Sequence, residues 1–372
     1  MAPFDPAVAL AWLDAYPPLP PTRRAAIVGG AARDAFLGSR PRELDLVIEG
    51  DAAAYARALA GPQGDVVVHG AFGTATAQGE GWRVDIAMAR RERYPQPGAL
   101  PLVEPASIEE DLERRDFTVN AIAVTLAGEL LAAPRALEDL AGRRLRVLHD
   151  ASFADDPTRL IRLARYAERL RFAVEPHTAA LARDASFATL SGARLGGELR
   201  LALAEPDPAA VLTRLAAQLP IDVDRELIGA ALALAPPGAD RAMLALGAVV
   251  RDERWAAQLE LTAAELAVVR ACRRAGVPAD RRPSALWHAW HTLPVEAVAL
   301  AGAREDPDAA ARWIGELRHI TLAIGGADLL AAGIPEGPEI GRRLRRTLAR
   351  RLDGELAPGR DAELAAALGP GS

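Results

Sequence analysis

The stretch Ile27-Val28-Gly29-Gly30-Ala31-Ala32-Arg33-Asp34 joins a short apolar run, two glycines and the start of a helical pattern. It predicts a β-strand that turns directly into a helix, because glycine permits a tight turn between the two elements. The backbone N–H groups of such a turn, together with a helix N-terminus, can bind phosphate. A Gly-Gly turn can equally be a purely structural connection, so this stretch alone leaves the function open.

A second strand is predicted in the stretch Glu43-Leu44-Asp45-Leu46-Val47-Ile48. The alternation of a strand places Glu43 and Asp45 on one face and Leu44, Leu46 and Ile48 on the other. A third acid, Asp85, lies in a later strand candidate. Neighbouring carboxylates repel each other unless a cation lies between them, and a pair of metals is the usual device for nucleotidyl transfer. The alternative is that these are solvent-facing acids on an edge strand.

The two halves of the chain differ in pattern, and 372 residues are enough for more than one domain. Short β-like runs and helical segments alternate up to about residue 145, and Ala, Leu and Arg recur at helical spacing after it. The strand candidates are Ala25–Val28, Leu44–Ile48, Val66–His69, Trp82–Met88 and Ala121–Thr125. The sequence therefore predicts an α+β head followed by an all-α remainder.

The composition restricts the class of partner and the compartment. A net charge of −6 argues against a uniformly basic surface for nucleic acid but allows a local positive stripe. All 44 positively charged residues are arginines, whose planar guanidinium suits phosphate, although genomic base composition also explains this bias. The single cysteine, Cys272, fits a reducing compartment. Because neither a signal pattern nor a long apolar run is present, we expect a cytoplasmic protein without a membrane partner.

The most specific motif is Arg114-Arg115-Asp116-Phe117-Thr118-Val119-Asn120-Ala121. Paired arginines can clamp a triphosphate or support an acid, and Asn120 can hydrogen bond to a ribose hydroxyl. The alternative for Asp116 alone is a helix-capping ion pair. With Gly29-Gly30-x-x-Arg33-Asp34 and Glu43-x-Asp45-x₄-Gly50-Asp51, this motif resembles the signatures of class II tRNA nucleotidyltransferases and the related bacterial poly(A) polymerases.

This resemblance implies a polymerase-β-like nucleotidyltransferase head in which Mg²⁺ is bound by Glu43 and Asp45, with Asp85 as a further catalytic acid. The family usually has Asp-x-Asp, whereas the first acid here is Glu43, which is one methylene longer. Either the backbone shifts slightly, or Asp45 and Asp85 carry more of the coordination. The implied nucleotide-binding residues of the head are Gly29, Gly30, Arg33, Asp34, Arg115, Asp116 and Asn120.

A third motif, Asp155-Asp156-Pro157-Thr158-Arg159, resembles the Glu-Asp-x-x-Arg element of the same family. The resemblance implies that Asp156 and Arg159 read the base of the incoming nucleotide. Arg162 and Arg165 continue a basic arc along the predicted helix and are included among the nucleotide-binding residues. The alternative is that Asp156 is an N-cap and Arg159 a solvent-exposed residue of the first turn.

Two further elements follow in the helical half. Arg194 and Glu198 lie four residues apart in a segment similar to the family's Ser-x-x-Arg-x-x-x-Glu-Leu element, and we expect them to brace the base-reading helix. Near the C-terminus, a glycine- and proline-rich stretch precedes four arginines that we predict to bind the RNA backbone, namely Arg342, Arg343, Arg345 and Arg346. An amphipathic helix with a solvated basic side explains these arginines equally well.

Over the whole chain, the resemblance implies a head at 1–145, a neck that recognises the base at 146–203, and an α-helical body and tail that bind tRNA at 204–372. The implied activity is template-independent addition of CMP or AMP to the 3′ end of tRNA, with CTP, ATP and tRNA as partners and no evident obligate protein partner. A poly(A) polymerase and a non-catalytic RNA-binding protein of the same fold are the alternatives. The sequence leaves open whether CCA, CC or only A is added, although the run Val147–Asp150 looks like A-adding relatives.

Overall fold

A computed structural model describes residues 4–20, 22, 24–39, 44–69 and 73–369 of the chain. Glu43 therefore lies outside the described residues. The chain divides into two compact units, Met1–Glu198 and Leu199–Ser372. The division predicted from sequence into 1–145, 146–203 and 204–372 stays a prediction. In the described part of the chain, no helix is long and apolar enough to cross a membrane.

Unit 1 contains the strands and confirms the predicted α+β class. Its strands are β1 Ala25–Val28, β2 Leu44–Ile48, β3 Asp65–His69, β4 Thr74–Gly79, β5 Trp82–Met88, β6 Arg90–Arg93, β7 Leu102–Pro105, β8 Ile122–Thr125, β9 Leu130–Ala132, β10 Arg144–Leu145 and β11 Ala173–Val174. Among the described residues, seven strands form the main sheet in the order β3-β4-β5-β2-β1-β8-β9, while β6 pairs with β7 and β10 with β11.

The acid-bearing strand β2 lies in the middle of this sheet. It pairs antiparallel with β1 and parallel with β5, and this register places Asp45 directly opposite Asp85. Leu46 and Val47 are both buried although they point to opposite faces, so the strand is covered on both sides. The edge-strand alternative is therefore wrong.

Eight helices are described in unit 1, and several of them begin at the sequence signals for a helix start. They are α1 Pro6–Leu10, α2 Gly29–Phe36, α3 Ala52–Ala60, α4 Ile108–Glu113, α5 Ala136–Ala141, α6 Ser152–Asp155, α7 Thr158–Leu170 and α8 Pro176–Asp184. Asp51 caps α3, and Ser107 with Glu110 forms a capping box on α4. Ile108 and Leu112 of α4 pack on Val28 and Val47, which fixes the segment that follows α4 against one face of the sheet.

Unit 2 is helical, and several of its helices start at capping side chains. After α9 Gly192–Leu203, which contains the boundary, the helices are α10 Pro208–Leu215, α11 Arg225–Leu234, α12 Arg241–Val249, α13 Glu253–Gln258, α14 Ala263–Arg274, α15 Pro283–Trp290, α16 Val295–Glu305, α17 Pro307–Gly315, α18 Gly326–Ala331, α19 Pro338–Leu352 and α20 Arg360–Leu368. Asp224 and Asp240 accept backbone hydrogen bonds at the starts of α11 and α12, and Thr262 forms a capping box on α14.

The packing of α16 against α17 in unit 2 can be tested by a substitution at Gly302. A Cβ at this position would lie 2.1 Å from Cβ of Ala310, because α16 and α17 approach closely there. We expect Gly302→Ala to lower the free energy of unfolding by about 1–3 kcal/mol, measured by urea denaturation. Gly229→Ala is the matched control, because nothing lies within 4 Å of its Cβ and alanine favours the helix. Equal stability of the two variants would contradict this packing.

Candidate active site

Two carboxylates and a glycine turn lie close together on the central strands of the main sheet. Asp45 and Asp85 are register partners on parallel strands, so their side chains point to the same face. Ile27 pairs with Leu46, which brings the end of β1, and Gly29 directly after it, beside Asp45. The predicted phosphate-binding turn and two of the three predicted acids therefore lie together.

Asp85 already accepts hydrogen bonds from two neighbours. Thr76 Oγ1 donates to Asp85 Oδ1 over 2.6 Å, and Arg83 Nη2 lies 3.2 Å from both carboxylate oxygens. The exposed fraction of the Asp85 side chain is 29% and that of Arg83 is 55%, so the arginine can move away when a cation binds. Thr76 and Arg83 were both missed in the sequence; the contact of Thr76 depends on the pairing of β4 with β5, whereas Arg83 lies on β5 two residues before Asp85.

The carboxylates of Asp45 and Asp85 are hard oxygen donors, which suit a divalent cation such as Mg²⁺. Within the described ranges, no group of three or more His, Cys, Asp or Glu is placed to hold a metal ion. The third predicted ligand, Glu43, lies outside those ranges. Two adjacent carboxylates on one face fit part of a metal site, and the prediction that Glu43 and Asp45 bind the metal stays a prediction.

Gly29 is required by its backbone and by its neighbour. Its φ of +62° lies in the left-handed region, and a Cβ there would lie 2.7 Å from Nη1 of Arg115. The N-cap of α2 is Val28, whose side chain makes no capping hydrogen bond, so the cap residue itself supplies no acceptor to the first N–H groups of α2. Gly30 lies in the first turn of the same helix. This arrangement can bind an anion beside Asp45.

Arg115 is held by a buried acid and keeps one unsatisfied donor. Its Nη2 donates to Oδ2 of Asp111 over 2.8 Å, and Asp111, which also pairs with Arg114, is fully buried. Nε of Arg115 is buried without a hydrogen-bond partner among the described residues, which is costly unless a ligand supplies one. Asp111 was also missed, although its spacing of three and four residues from the two arginines is the helical ion-pair signal.

Arg33 lies in the interior and orients Asn120. It is 2% exposed, and its Nη1 donates to Oδ1 of Asn120 while Nε donates to Oδ1 of Asp34 over 2.8 Å. The amide of Asn120 donates to Oδ1 of Asp116 over 2.9 Å. The structure thus gives Arg33 a positioning role, and direct binding of a nucleotide by Arg33 and Asp34 stays a prediction.

Asp116 joins this network to α7. It accepts hydrogen bonds from the backbone N–H of Phe117 and from Nε of Arg162, the latter over 2.7 Å. Burial alone would raise the pKa of Asp116, but the charge of Arg162 and the hydrogen bonds from Asn120 and Arg162 outweigh it, so the pKa is lowered. The partner in this ion pair is 46 residues away, so the capping alternative for Asp116 is wrong.

Asp156 and Arg159 lie at the start of α7 and are held from several sides. Oδ1 of Asp156 accepts from the N–H of Thr158 over 3.1 Å, as a cap does, and from Nη2 of Arg194 over 2.8 Å. Arg159 is only 4% exposed and donates to Ser152 Oγ and to the backbone oxygen of Arg114. The alternative of a solvent-exposed Arg159 is therefore wrong, while base reading by both residues stays a prediction.

The arginines of the basic arc of α7 form contacts with other residues of unit 1. Arg162 pairs with Asp116, and Nη1 of Arg165 lies 3.4 Å from Oε2 of Glu198. Arg194, besides contacting Asp156, donates from Nη1 to the backbone oxygen of Gly98 over 2.7 Å. Arg194 and Glu198 thus brace the start and the middle of α7, as their spacing predicts.

The four C-terminal arginines lie on α19 and divide into two pairs. Arg342 and Arg345 are exposed, and Arg342 forms a two-pronged contact with Glu339. Arg343 and Arg346 are partly buried and donate to the backbone oxygens of Ala367 and Gly369. The first pair is more exposed than the second, and RNA binding by the four stays a prediction.

Known proteins resemble both the head and the whole chain. Residues 25–146 match the family model described as the poly A polymerase head domain. The chain is 33% identical to an A-adding tRNA nucleotidyltransferase of Geobacter sulfurreducens, over 91% of this chain and 44% of that protein. It is 44% identical to a CC-adding tRNA nucleotidyltransferase of Deinococcus radiodurans, over 50% of this chain and 52% of that protein. The chain thus spans about half the length of these curated relatives.

A solved structure resembles almost the whole described chain. A Thermotoga maritima CCA-adding enzyme complexed with tRNA has a TM-score of 0.73 and 27% sequence identity, and the match covers 93% of this chain and 90% of that one. The predicted α+β head followed by helical domains is confirmed by this match and by the head-domain match.

The Asp116–Arg162 ion pair can be tested by its pH dependence. We expect Asp116→Asn to lower the free energy of unfolding by about 1–2 kcal/mol at pH 7, less than for a fully buried pair because the Arg162 side chain is 33% exposed. Because the folded pKa of Asp116 is lowered, the pair stabilises the protein above the unfolded pKa of about 4, and its contribution is lost as the pH falls through the folded value. Denaturant titrations from pH 7 to pH 3 measure this difference.

The control for this variant is Asp222→Asn, which removes the exposed ion pair with Arg251. We expect no measurable loss of stability from it at any pH, since exposed pairs contribute little. A loss for Asp116→Asn that stays constant down to pH 3 would show that the charge of Asp116 does not stabilise unit 1.

Proposed function

We propose that the chain adds CMP, AMP or both to the 3′ end of tRNA without a template, as a member of the class II tRNA nucleotidyltransferases that it resembles. The observation that carries this proposal is the pairing of Asp45 with Asp85 on central parallel strands, beside the Gly29 turn. The proposed division of labour is a catalytic head at 1–145, a base-reading neck at 146–203 and a tRNA-binding body and tail at 204–372.

In the proposed reaction, the 3′-hydroxyl oxygen of tRNA attacks the α-phosphorus of CTP or ATP. A new P–O bond forms, the bond between the α-phosphorus and the bridging oxygen breaks, and pyrophosphate leaves. Nucleotidyltransferases of this family generally use divalent metals, and we propose Mg²⁺, held by Asp45 and Asp85 together with Glu43. Bound there, Mg²⁺ would neutralise phosphate charge and make the attacking hydroxyl easier to deprotonate.

The triphosphate is proposed to bind at the Gly29 turn. The N–H groups at the start of α2 and the guanidinium of Arg115 converge there. The buried Nε of Arg115 has no hydrogen-bond acceptor among the described residues, and a phosphate oxygen of the substrate is proposed to supply one. Arg33 and Asp116 hold Asn120 in place, so that its amide can hydrogen bond to a ribose. These side chains are fixed before substrate binds, which favours a well-defined orientation of the α-phosphate.

The base is proposed to bind at the start of α7. Asp156 offers carboxylate acceptors and Arg159 offers guanidinium donors, which complement the exocyclic amine and ring acceptors of cytosine and adenine. Arg194 and Ser152 hold these two side chains. The two residues are thus proposed to select CTP and ATP over UTP and GTP.

A poly(A) polymerase is the second candidate, because the head-domain model bears that name. The likeness to a CCA-adding enzyme complexed with tRNA extends over the helical part of the chain and favours tRNA. The relatives include both CC-adding and A-adding enzymes, so the number of added nucleotides is left to experiment. We propose the cytoplasm as the site of the reaction, in keeping with the single cysteine.

The proposal is tested by extension of defined RNAs. We expect the purified protein with Mg²⁺ to add one to about three nucleotides to tRNA that ends before its CCA tail or after CC, with CTP and ATP supplied singly and together. Denaturing gels resolve the products. Long A tracts on unrelated RNA would identify a poly(A) polymerase instead, and no product from folded protein would contradict any transferase activity.

The role of the two acids is tested by removing each one. We expect Asp45→Asn and Asp85→Asn each to lower the rate of addition at least about a hundredfold, because each removes a negative ligand of the metal. Binding of tRNA, measured by filter retention, should stay unchanged. Glu226→Gln, an exposed acid of α11, is the control and should keep full activity. Normal turnover of Asp45→Asn would show that the metal site lies elsewhere.

A further inference from the structure

Three arginines of unit 1 adopt a backbone conformation that arginine seldom adopts. In the parts of the chain that the structure describes, four non-glycine residues have a left-handed backbone, namely Arg135, Arg143, Arg171 and Glu260, with φ of 64°, 51°, 54° and 50°. Arginine makes up roughly one residue in eight of this chain, so composition does not explain its three occurrences among four. Glycine or asparagine is the usual choice at such positions because a larger side chain is strained there.

The fold brings these three residues, the αL-arginine cluster, into one region of unit 1. Arg135 is the N-cap residue of α5, and Arg143 follows directly after the C-cap of the same helix. The helix between them is about 9 Å long at 1.5 Å per residue. The N–H of Ala173 donates to the backbone oxygen of Arg143 over 3.0 Å, which places Arg171, two residues earlier, beside Arg143.

The guanidinium groups of the cluster are exposed and have no partner among the described residues. The acids of α5 are already paired with other arginines. Glu138 pairs with Arg144 over 2.9 Å, and the buried Asp139 pairs with both Arg144 and Arg146. The three arginines are therefore not needed to neutralise this part of the protein, and they leave it with an excess of positive charge.

Helix dipoles do not account for the cluster. Arg143 and Arg171 follow the C-termini of α5 and α7, where a cation is favourable, but Arg135 lies at the N-terminus of α5, where a cation is unfavourable. Glycine would fit all three positions with less strain. A charged side chain that is kept at a strained backbone position and left without a protein partner indicates a ligand.

We propose that the αL-arginine cluster binds the phosphate backbone of the tRNA substrate, a site that rests on the proposed function and adds to it. Guanidinium groups bind phosphate oxygens through paired, charge-assisted hydrogen bonds. The net charge of the protein is −6, so RNA needs a local positive surface to approach it. The cluster supplies such a surface on the unit that carries Asp45 and Asp85. The contact is to phosphates and therefore does not depend on the RNA sequence.

The test is the triple variant Arg135→Gly, Arg143→Gly, Arg171→Gly in the full-length protein. Glycine removes each guanidinium and at the same time relieves the strain of the left-handed backbone. The midpoint temperature of thermal unfolding should therefore be equal to or above that of the wild type. We expect the Kd for tRNA to rise at least about tenfold at 0.1 M salt. The slope of log K against log salt should become less negative by about 2, at roughly 0.7 to 0.9 per phosphate contact.

Two control variants separate strain from charge. Glu260→Gly relieves the same backbone conformation without removing an arginine, and Arg57→Gln removes an exposed guanidinium from the regular helix α3. Neither should weaken the binding of tRNA. A triple variant with wild-type affinity and salt slope would overturn the proposal, and so would one that loses stability together with affinity, since the arginines would then be structural.

Nucleotide addition by the wild-type protein is measured in parallel, which distinguishes the two proposals. If the wild type binds tRNA, the variant does not, and the wild type adds no nucleotide, the proposed transferase function fails while the phosphate site stands. If the wild type adds nucleotides and the variant binds tRNA equally well, the phosphate site fails alone. If the wild type binds no tRNA, the phosphate site is overturned as well.

Discussion

The buried ion pair between Asp116 and Arg162 is the interaction on which the arrangement of unit 1 depends. Asp116 lies just after α4, which packs on the central sheet, and Arg162 lies on α7, which carries Arg159 and begins two residues after Asp156. The same carboxylate orients Asn120, and Asn120 in turn accepts from Arg33 on α2. One charged contact therefore links the glycine turn, the proposed ribose contact and the helix that is proposed to read the base.

The network also shows how an arginine-only set of cations is accommodated in a protein interior. Arg33 and Arg159 are almost fully buried, and each donates to neutral oxygens as well as lying close to acids. A planar guanidinium can satisfy several acceptors at once, whereas an ammonium group in the same place would leave directions unmatched. The buried guanidinium groups are thus held in fixed positions by several hydrogen bonds each, and such fixed side chains favour a defined orientation of a bound substrate.

Much of the fold could be predicted from the sequence, because its strands are strongly apolar and sharply bounded. The bounds of β1, β2 and β5 agree with the predicted ones, and Asp45, Asp85 and the glycine turn were assigned to the right elements. The strand β4 was missed because its alternation of threonine and alanine is only weakly hydrophobic. The contacts of Arg33 with Asn120 and of Arg159 with Arg114 could not be predicted, since these residues are 87 and 45 positions apart and meet only through tertiary packing.

The parallel pairing of β2 with β5 also bears on how the site comes into existence during folding. The two acids lie 40 residues apart and become neighbours only when β5 has been placed beside β2, with β3 and β4 formed on its far side. Parallel pairing across such a separation is a non-local event with a large loss of chain entropy, so it belongs among the slower steps of folding. A slip of one residue would move one carboxylate to the opposite face of the sheet. The two carboxylates can therefore hold a metal together, as proposed, only once the sheet has reached its native register.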